Sequence, residues 1–197
     1  MTVRRDTREA LLRAGVELFL EGGYDFVGTN AILERAGVPR GSFYHHFQDK
    51  LDFAVAPAQF YYEQHLPMLD RMLTDDSRAP IARLRAYFEA LCSHFRDRKW
   101  TGGCLLGMLS QELPDREGKA RAALASLFAR WRHRLVDCLR EAQGQGQLAR
   151  DADLNELAAF LIDGWEGALL SMKVTRSGES LDRFVRISFD RLLPTEG

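Results

Sequence analysis

The chain has 197 residues, of which 46% are hydrophobic and 28% charged, and its formal net charge is −1. That length and composition are ordinary for a globular protein with a real core in one or two domains. The near-neutral charge excludes a protein that binds nucleic acid over its whole surface, so any such contact must be local. No apolar run approaches the roughly 18–20 residues of a membrane span, and no secretory signal pattern opens the chain.

Three cysteines, Cys92, Cys104 and Cys138, are widely spaced and odd in number. Such spacing is typical neither of a disulfide framework nor of a metal site. We therefore expect a cytoplasmic protein that carries no metal and no other cofactor.

The first predicted helix begins at a capping box formed by Asp6 and Glu9. Its apolar stripe consists of Leu11, Ala14, Leu18 and Phe19, and Gly22 and Gly23 end it. The preceding end is basic through Arg4, Arg5 and Arg8. This basic arm is open to two interpretations, a contact with a DNA backbone or a solvated terminus.

Two short helices joined by a tight turn are predicted next, between Thr29 and Phe47. Thr29 is expected to cap the first of them, and Gly37 to end it in a left-handed backbone conformation. Pro39 suits the start of the second helix, where its missing N–H costs nothing. The pattern is a helix-turn-helix, whose second helix enters the major groove in DNA-binding proteins.

The second helix of this motif has one apolar and one polar face. Phe43 and Phe47 are four residues apart and share a face, so we expect both in the core. The polar groups that can donate to phosphates or base edges are Arg40, Ser42, Tyr44, His45 and His46, with Lys50 at the start of the next helix. Gly41 is small enough to let the backbone approach DNA. A hairpin of this shape also occurs in helical proteins that bind no DNA, but a purely structural role requires no such polar set.

This run resembles the DNA-binding domain of the TetR family of bacterial regulators. The family pattern A-G-V-S-x-G-[ST]-[LFI]-Y-x-[HY]-F-x-x-K, with a preceding Thr, is matched at Thr29, Ala36, Gly37, Val38, Gly41, Ser42, Phe43, Tyr44, His46, Phe47 and Lys50. Pro39 replaces the commoner serine. The family also has an isoleucine between the threonine and the alanine of the pattern, and Ile32 lies one position away from that place. The resemblance implies phosphate contacts from Thr29, Tyr44, His46 and Lys50, and base-edge or nearby phosphate contacts from Arg40, Gly41, Ser42 and His45.

The remainder of the chain also predicts helices only. Asp49 is expected to cap a long linking helix from about residue 50 into the low seventies, and Pro57 predicts a kink or break near Val55 and Ala56. Further helices are predicted at about 80–96, 104–113, 117–143, 153–175 and 180–193, with Pro114 ending the second of these. We therefore expect an all-α fold of about nine helices, with a helix-turn-helix DNA-binding domain at 1–50 and an effector-binding and dimerisation domain at 51–197.

The middle of the chain is rich in aromatic and polarisable side chains. Each of them taken alone fits an ordinary packing role, but together they could line an apolar chamber between helices, a common place for small ligands. The candidates are Tyr62, His65, Phe88, Cys92, Trp100, Cys104, Met108, Trp131 and Trp165. In the TetR family this region binds the effector, so the resemblance implies a small-molecule effector here.

Cys104 suggests a more specific hypothesis. It follows Gly102 and Gly103 near the start of a short helix, where a helix N-terminus favours the thiolate. The run Gly103–Cys104–Leu105 also resembles a TetR subgroup that includes regulators of electrophile and acrylate response, which implies a sensing cysteine. The alternative is a small buried apolar residue.

The last two predicted helices each present an apolar side with small residues. These sides consist of Leu157, Phe160, Leu161, Gly164, Trp165 and Ala168, and of Leu181, Phe184, Val185, Ser188 and Leu192. They fit an internal core or, as in the resembled family, a four-helix dimer interface. Because one short recognition helix makes few contacts, we expect a homodimer whose two heads read a palindrome.

The leading interpretation is a ligand- or redox-responsive DNA-binding repressor that is released from its operator by a small-molecule or electrophilic effector. Activation instead of repression also fits the sequence. An enzyme with Cys104 as nucleophile would need a histidine base, and no motif ties His94 or His133 to it. The third alternative is a helical interaction protein whose hairpin packs against another protein.

Overall fold

The computed structural model describes residues 2–113 and 118–193, with side chains from residue 7 onward. Its helices are α1 (Thr2–Phe26), α2 (Thr29–Ala36), α3 (Gly41–Tyr44), α4 (Lys50–Leu73), α5 (Pro80–Asp97), α6 (Leu105–Glu112), α7 (Gly118–Gly144), α8 (Leu154–Thr175) and α9 (Glu179–Ile187), followed by a π-helical turn, Ser188–Leu192. No strand occurs within these described ranges, which confirms the all-α fold. Pro114, the predicted stop after α6, lies outside the described residues.

The chain forms two compact units. The first comprises Met1–His65 and Cys104–Phe128, and the second comprises Leu66–Gly103 and Ala129–Gly197, each taken over its described residues. The first unit therefore contains α1, α2, α3 and α6, and the second contains α5, α8 and α9. The predicted domain boundary between residues 50 and 51 does not coincide with the division between these compact units, and the assignment of a role to each side of it stays a prediction.

Phenylalanine rings form the core of the first unit. Phe53 of α4 is fully buried, and its ring centroid lies 6.0 Å from that of Phe19, 5.2 Å from that of Phe43 and 4.8 Å from that of Phe47. The apolar face of the helix-turn-helix is thus packed on Phe53 of α4, which also contacts Phe19 of α1. This confirms the prediction that Phe43 and Phe47 are core residues.

Helix α1 differs from its prediction at both ends. It begins at Thr2, earlier than the predicted capping box at Asp6, whose side chain lies outside the described part of the chain. Near the other end, Gly23 has φ 79° and ψ 170°, a conformation that interrupts the helix where the sequence predicted its end. A last turn through Phe26 follows the interruption.

Helix α4 begins with the predicted cap and then runs through a proline without a break. The Asp49 carboxylate accepts the Asp52 N–H at 2.8 Å, and the Asp52 carboxylate accepts the Gln48 N–H at 3.0 Å, which together form a reciprocal cap. The predicted break near Val55 and Ala56 is wrong, because α4 is continuous from Lys50 to Leu73, and the alternative of a kink stays a prediction. The proline ring packs where Gly15 of α1 has no side chain, because a Cβ there would lie only 2.8 Å from Pro57 Cγ. Pro57 is buried at this close approach of α1 and α4.

The second unit is built around Phe88 and a buried arginine. The Phe88 ring is fully buried and lies 5.5 Å from Trp165 and 5.1 Å from Phe184. Arg83 is only 4% exposed, donates to the carbonyls of Leu73 and Arg78, and forms ion pairs with Asp76 at 2.9 Å and Glu141 at 2.7 Å. The guanidinium thereby closes the connection between α4 and α5 and attaches it to α7.

Candidate nucleic-acid interface

The turn between α2 and α3 has the predicted geometry. Gly37 adopts φ 65° and ψ 31°, and its N–H donates to the Glu34 carbonyl at 3.1 Å. The next residue, Val38, donates to the Leu33 carbonyl at 3.2 Å, which completes a left-handed helix ending. The Ser42 N–H then donates to the Pro39 carbonyl at 2.9 Å and opens α3. The ending at Gly37 is confirmed, whereas Pro39 lies two residues before Gly41, the first residue of α3, and not at the first helical position.

The cap of α2 was predicted wrongly. Gly28, not Thr29, is the N-cap residue, since Gly28 has the extended backbone φ −87° and ψ 157° and its carbonyl accepts the Ile32 N–H. Thr29 is the first helical residue, and no side-chain hydrogen bond caps the helix. Thr29 is half-buried at the N-terminus of α2, where backbone N–H groups favour a phosphate.

The polar residues of α3 and its flanks lie opposite the phenylalanine face. Phe43 is fully buried and Phe47 nearly so, whereas the neighbouring Tyr44 side chain is 59% exposed. Among the other candidate residues, Arg40, Gly41 and His45 are exposed, and Ser42 and His46 are half-buried. The predicted separation into an inward and an outward face is confirmed.

Arg35, at the end of α2, adds no net positive charge to this surface, because it is paired with two carboxylates of α1. Its guanidinium donates to Glu21 at 3.1 and 3.0 Å and to Glu17 at 3.2 Å, which ties α2 to α1. The hydrogen bonds from Glu21 and Glu17 raise the pKa of Arg35, and its hydrogen bond lowers the pKa of Glu21. Positive charge near α3 therefore comes from Arg40 and Lys50, together with Arg8 of α1, whose guanidinium lies 5.7 Å from the centre of the Phe47 ring.

Lys50, the first residue of α4, contacts an aromatic ring. Its ammonium nitrogen lies 4.1 Å from the centre of the Tyr24 ring, a distance at which a cation is attracted to a π face. Tyr24 is buried in the last turn of α1. The side chain of Lys50 is therefore held in place by α1.

The last turn of α1 is itself held by Glu112, the final residue of α6. One carboxylate oxygen accepts the Tyr24 N–H at 3.2 Å, and the other accepts the Asp25 N–H at 3.0 Å. A Cβ at Gly23 would lie 2.8 Å from the first of these oxygens. The sequence reasoning missed Glu112, because its partners are 88 and 87 residues away and no local pattern marks them.

The nine candidate effector residues are divided between the two units. Tyr62, His65, Cys104 and Met108 belong to the first, and Phe88, Cys92, Trp100, Trp131 and Trp165 belong to the second. In the first unit, Tyr62 is buried, and the His65 Nδ1 atom lies 2.7 Å from the Tyr61 carbonyl. Their role in effector binding stays a prediction.

The second group consists largely of packing residues. Phe88 and Trp165 share one aromatic cluster, and Trp131 is buried. Trp100 packs against Gly178, and its ring lies 5.8 Å from the Arg96 guanidinium. None of the nine residues lines the groove of about 300 Å³ between α8 and α9.

The cysteines differ in their positions. Burial raises the pKa of Cys92 and of Cys138 to about 12, so both thiols are neutral near pH 7. Cys104 lies at the start of α6, as predicted; it is the N-cap residue, and its carbonyl accepts the Met108 N–H at 3.0 Å. Its side chain is buried. In the described part of the chain no three His, Cys, Asp or Glu residues are grouped to hold a metal, and none of the described helices combines the length and apolar character needed to cross a membrane.

Comparisons with known proteins decide the family. Residues 11–56, which include α2, α3 and the start of α4, match the family described as bacterial regulatory proteins, tetR family. Residues 80–188 match the tetracyclin repressor-like C-terminal domain. The chain belongs to the TetR family. It is therefore a DNA-binding transcriptional regulator.

Individual TetR-family relatives cover nearly the whole chain. The transcriptional regulator AcuR of Cereibacter sphaeroides is 39% identical over 90% of this chain and 81% of its own length. The transcriptional repressor DhaR of Mycobacterium sp. strain GP1 is 35% identical over 98% of this chain and 95% of its own.

Solved structures of TetR-family proteins superpose closely. A regulatory protein TetR from Rhodobacter sphaeroides has a TM-score of 0.85 and 38% identity, with 91% of this chain and 95% of that chain covered. The reduced form of NemR from Escherichia coli has a TM-score of 0.88 and 29% identity, with 98% and 99% covered. The predicted fold of an N-terminal helix-turn-helix and a C-terminal helical domain is thus confirmed.

Proposed function

We propose that this regulator is a repressor that binds a palindromic operator as a homodimer and is released by a small-molecule or electrophilic effector. The observation that carries this proposal is the two-faced helix α3, with Phe43 and Phe47 buried and Tyr44 exposed. Helix α3 is the element that enters the major groove. Acting on the bacterial chromosome, the protein works in the cytoplasm.

The residues around α3 have different tasks in this proposal. Thr29, Tyr44, His46 and Lys50 contact phosphates, which position the head but carry little sequence information. Arg40, Gly41, Ser42 and His45 lie at base edges or at nearby phosphates, where an arginine can fork onto guanine. The support is that Arg40, Gly41, Tyr44 and His45 are exposed in and around α3, while Thr29 and Lys50 lie at the N-termini of α2 and α4.

Helices α8 and α9 supply the proposed dimer interface. The large hydrophobic side chains that stay exposed here are Phe160, Leu170, Val174, Ile187 and Leu192. The groove between the two helices includes Phe160, Gly164 and Ile187. Part of the predicted dimer face cannot serve this purpose, because Leu161, Trp165, Leu181 and Val185 are buried within their own chain. The remaining apolar strip is of the kind that marks protein–protein contacts.

The effector acts by shifting an equilibrium. A ligand, or a modified Cys104, must favour the conformation that does not bind DNA over the one that does. Cys104 at the start of α6 is the proposed sensor, since α6 packs against α1 within the same unit. Mass spectrometry after mild N-ethylmaleimide or hypochlorite treatment tests this role. An unmodified Cys104 together with unchanged operator binding would contradict it.

The proposed function is tested by selecting bound duplexes from a random-sequence pool with the wild-type chain. We expect enrichment of a palindrome whose half-sites are a helical turn or more apart. We also expect wild-type affinity for this selected duplex to fall steeply as salt rises. Failure to enrich any duplex would refute operator binding, and enrichment of a single undivided half-site would refute the dimer.

A further inference from the structure

We propose that Glu112 is a positioning residue for DNA binding, which holds the last turn of α1 and, through the Tyr24 ring, the ammonium group of Lys50. This inference rests on the proposed function in one respect, the contact of Lys50 with a phosphate. The chain of contacts runs from α6 through α1 to the first residue of α4, all within the first compact unit.

The carboxylate of Glu112 is suited to this task because it accepts two hydrogen bonds at once. The donors are the N–H groups of two consecutive residues, Tyr24 at 3.2 Å and Asp25 at 3.0 Å, each bound to a different oxygen. Both donors follow the non-helical Gly23. An ionised carboxylate forms stronger bonds to N–H groups than a neutral acceptor does. Glu112 therefore fixes the backbone of the turn at two successive points.

Gly23 is shaped to admit Glu112. Its φ of 79° is in the left-handed region that favours glycine, and a Cβ would lie 2.8 Å from one Glu112 oxygen. A side chain at residue 23 would thus strain the backbone and displace the carboxylate. Two separate features, the interruption of α1 and the lack of a side chain, serve the same contact.

Tyr24 transmits this positioning to the DNA-binding face. Its backbone N–H is bound by Glu112, and its buried ring lies under the Lys50 ammonium at 4.1 Å. A shift of the turn displaces the ring and with it the preferred place of the cation. Lys50 is the first residue of α4, so a loss of this support reduces the preorganisation of a phosphate contact without removing any group from the interface.

Glu112→Gln is the sharpest test, because it keeps the size of the side chain and changes one oxygen to an NH₂ group. The amide can accept only one of the two N–H groups and turns a donor toward the other. We expect the affinity for the selected duplex to fall by about tenfold, the effect of removing roughly one charge-assisted hydrogen bond. Glu63→Gln, at an exposed residue of α4, removes the same charge and should leave the affinity unchanged.

A double-mutant cycle separates positioning from a general effect on folding. In a Lys50→Met background, Glu112→Gln should change the affinity by less than about twofold, since the group that it positions is gone. A purely structural role would give the same loss of affinity in both backgrounds. Gly23→Ala disturbs the same contact from the α1 side, because the added methyl group displaces the Glu112 carboxylate. Its loss of affinity should likewise depend on Lys50. The proposal can therefore be tested even if one of the two variants folds poorly.

The outcomes are distinguishable from failure of the proposed function. Wild-type affinity in Glu112→Gln, or losses of affinity that add fully to that of Lys50→Met, would overturn the role of Glu112 while operator binding stands. If the wild-type chain enriches no duplex, operator binding fails and this inference fails with it. A loss of affinity that depends on Lys50 supports the inference.

Discussion

The ring of Phe43 in α3 lies 5.2 Å from the ring of Phe53 in α4, and Phe43 is fully buried whereas the adjacent Tyr44 is 59% exposed. Two consecutive aromatic residues thus have opposite surroundings. The first joins α3 to the core, and the second is exposed to solvent. With Tyr44 as the proposed DNA contact, this arrangement separates stability from binding within a single helical turn.

Phe43→Ala should therefore lower the stability of the protein, whereas Tyr44→Ala should weaken its binding to DNA. The cavity left by Phe43 should destabilise the first unit by about 3–5 kcal/mol. Loss of the exposed Tyr44 ring should change stability by no more than about 0.5 kcal/mol and still abolish binding to the selected duplex. Thermal unfolding and fluorescence anisotropy measure the two effects. Equal destabilisation by both substitutions would contradict this assignment.

Two arginines of α5 provide a second matched pair. Arg83 is buried and bound by two carbonyls and two carboxylates, whereas Arg85 forms exposed ion pairs with Glu89 and Asp190. We expect Arg83→Ala to lower the free energy of unfolding by about 2 kcal/mol or more. Arg85→Ala should lower it by less than about 1 kcal/mol. Urea unfolding of the two variants measures the difference, and the reverse order would refute the structural role of Arg83.

The buried thiols predict a pH dependence of stability. Burial raises the pKa of Cys92 and Cys138 from 9.0 to about 12. The stability that a neutral buried thiol provides is therefore fully present below pH 9 and is lost as the pH rises toward 12, because the unfolded chain ionises first. In a double variant with Cys92→Ala and Cys138→Ala, the free energy of unfolding should therefore decline less steeply between about pH 9 and pH 12 than in the wild-type protein. The same decline in both proteins would show that other groups cause it.

The proposed dimer interface gives a further prediction. Phe160 on α8 is 53% exposed and lines the groove between α8 and α9. Phe160→Asp should place a charge in the interface and convert the protein to monomers in sedimentation velocity, with weaker binding to the selected duplex. Gln59→Asp, at an exposed residue of α4, should leave both unchanged. A dimeric Phe160→Asp variant would place the interface elsewhere.

Features governed by neighbouring residues could be predicted from the sequence. Gly37 ends α2 because its left-handed backbone suits glycine, and the spacing of Phe43 and Phe47 determines the buried face of α3. The error at Thr29 was also local, because the cap moved by one residue to Gly28.

Features that depend on distant partners could not be predicted. Pro57 is tolerated because Gly15 makes room for it, and the charge of Arg35 is neutralised by Glu17 and Glu21. The hydrogen bond between Glu112 and Tyr24 spans 88 residues. An effector chamber formed by several helices would also depend on residues that are far apart in the sequence. The assignment of the effector residues therefore stays a prediction.

The central claim, that the face around α3 binds DNA through local positive charge, is tested most directly by the salt dependence of binding. We predict that the logarithm of wild-type affinity for the selected duplex falls linearly with the logarithm of salt concentration. Arg40→Gln should reduce the magnitude of this slope by about one if the Arg40 guanidinium neutralises a single phosphate. Arg35→Gln should leave the slope nearly unchanged, because Glu17 and Glu21 already neutralise that guanidinium. A wild-type slope near zero, or equal effects of the two substitutions, would contradict the central claim.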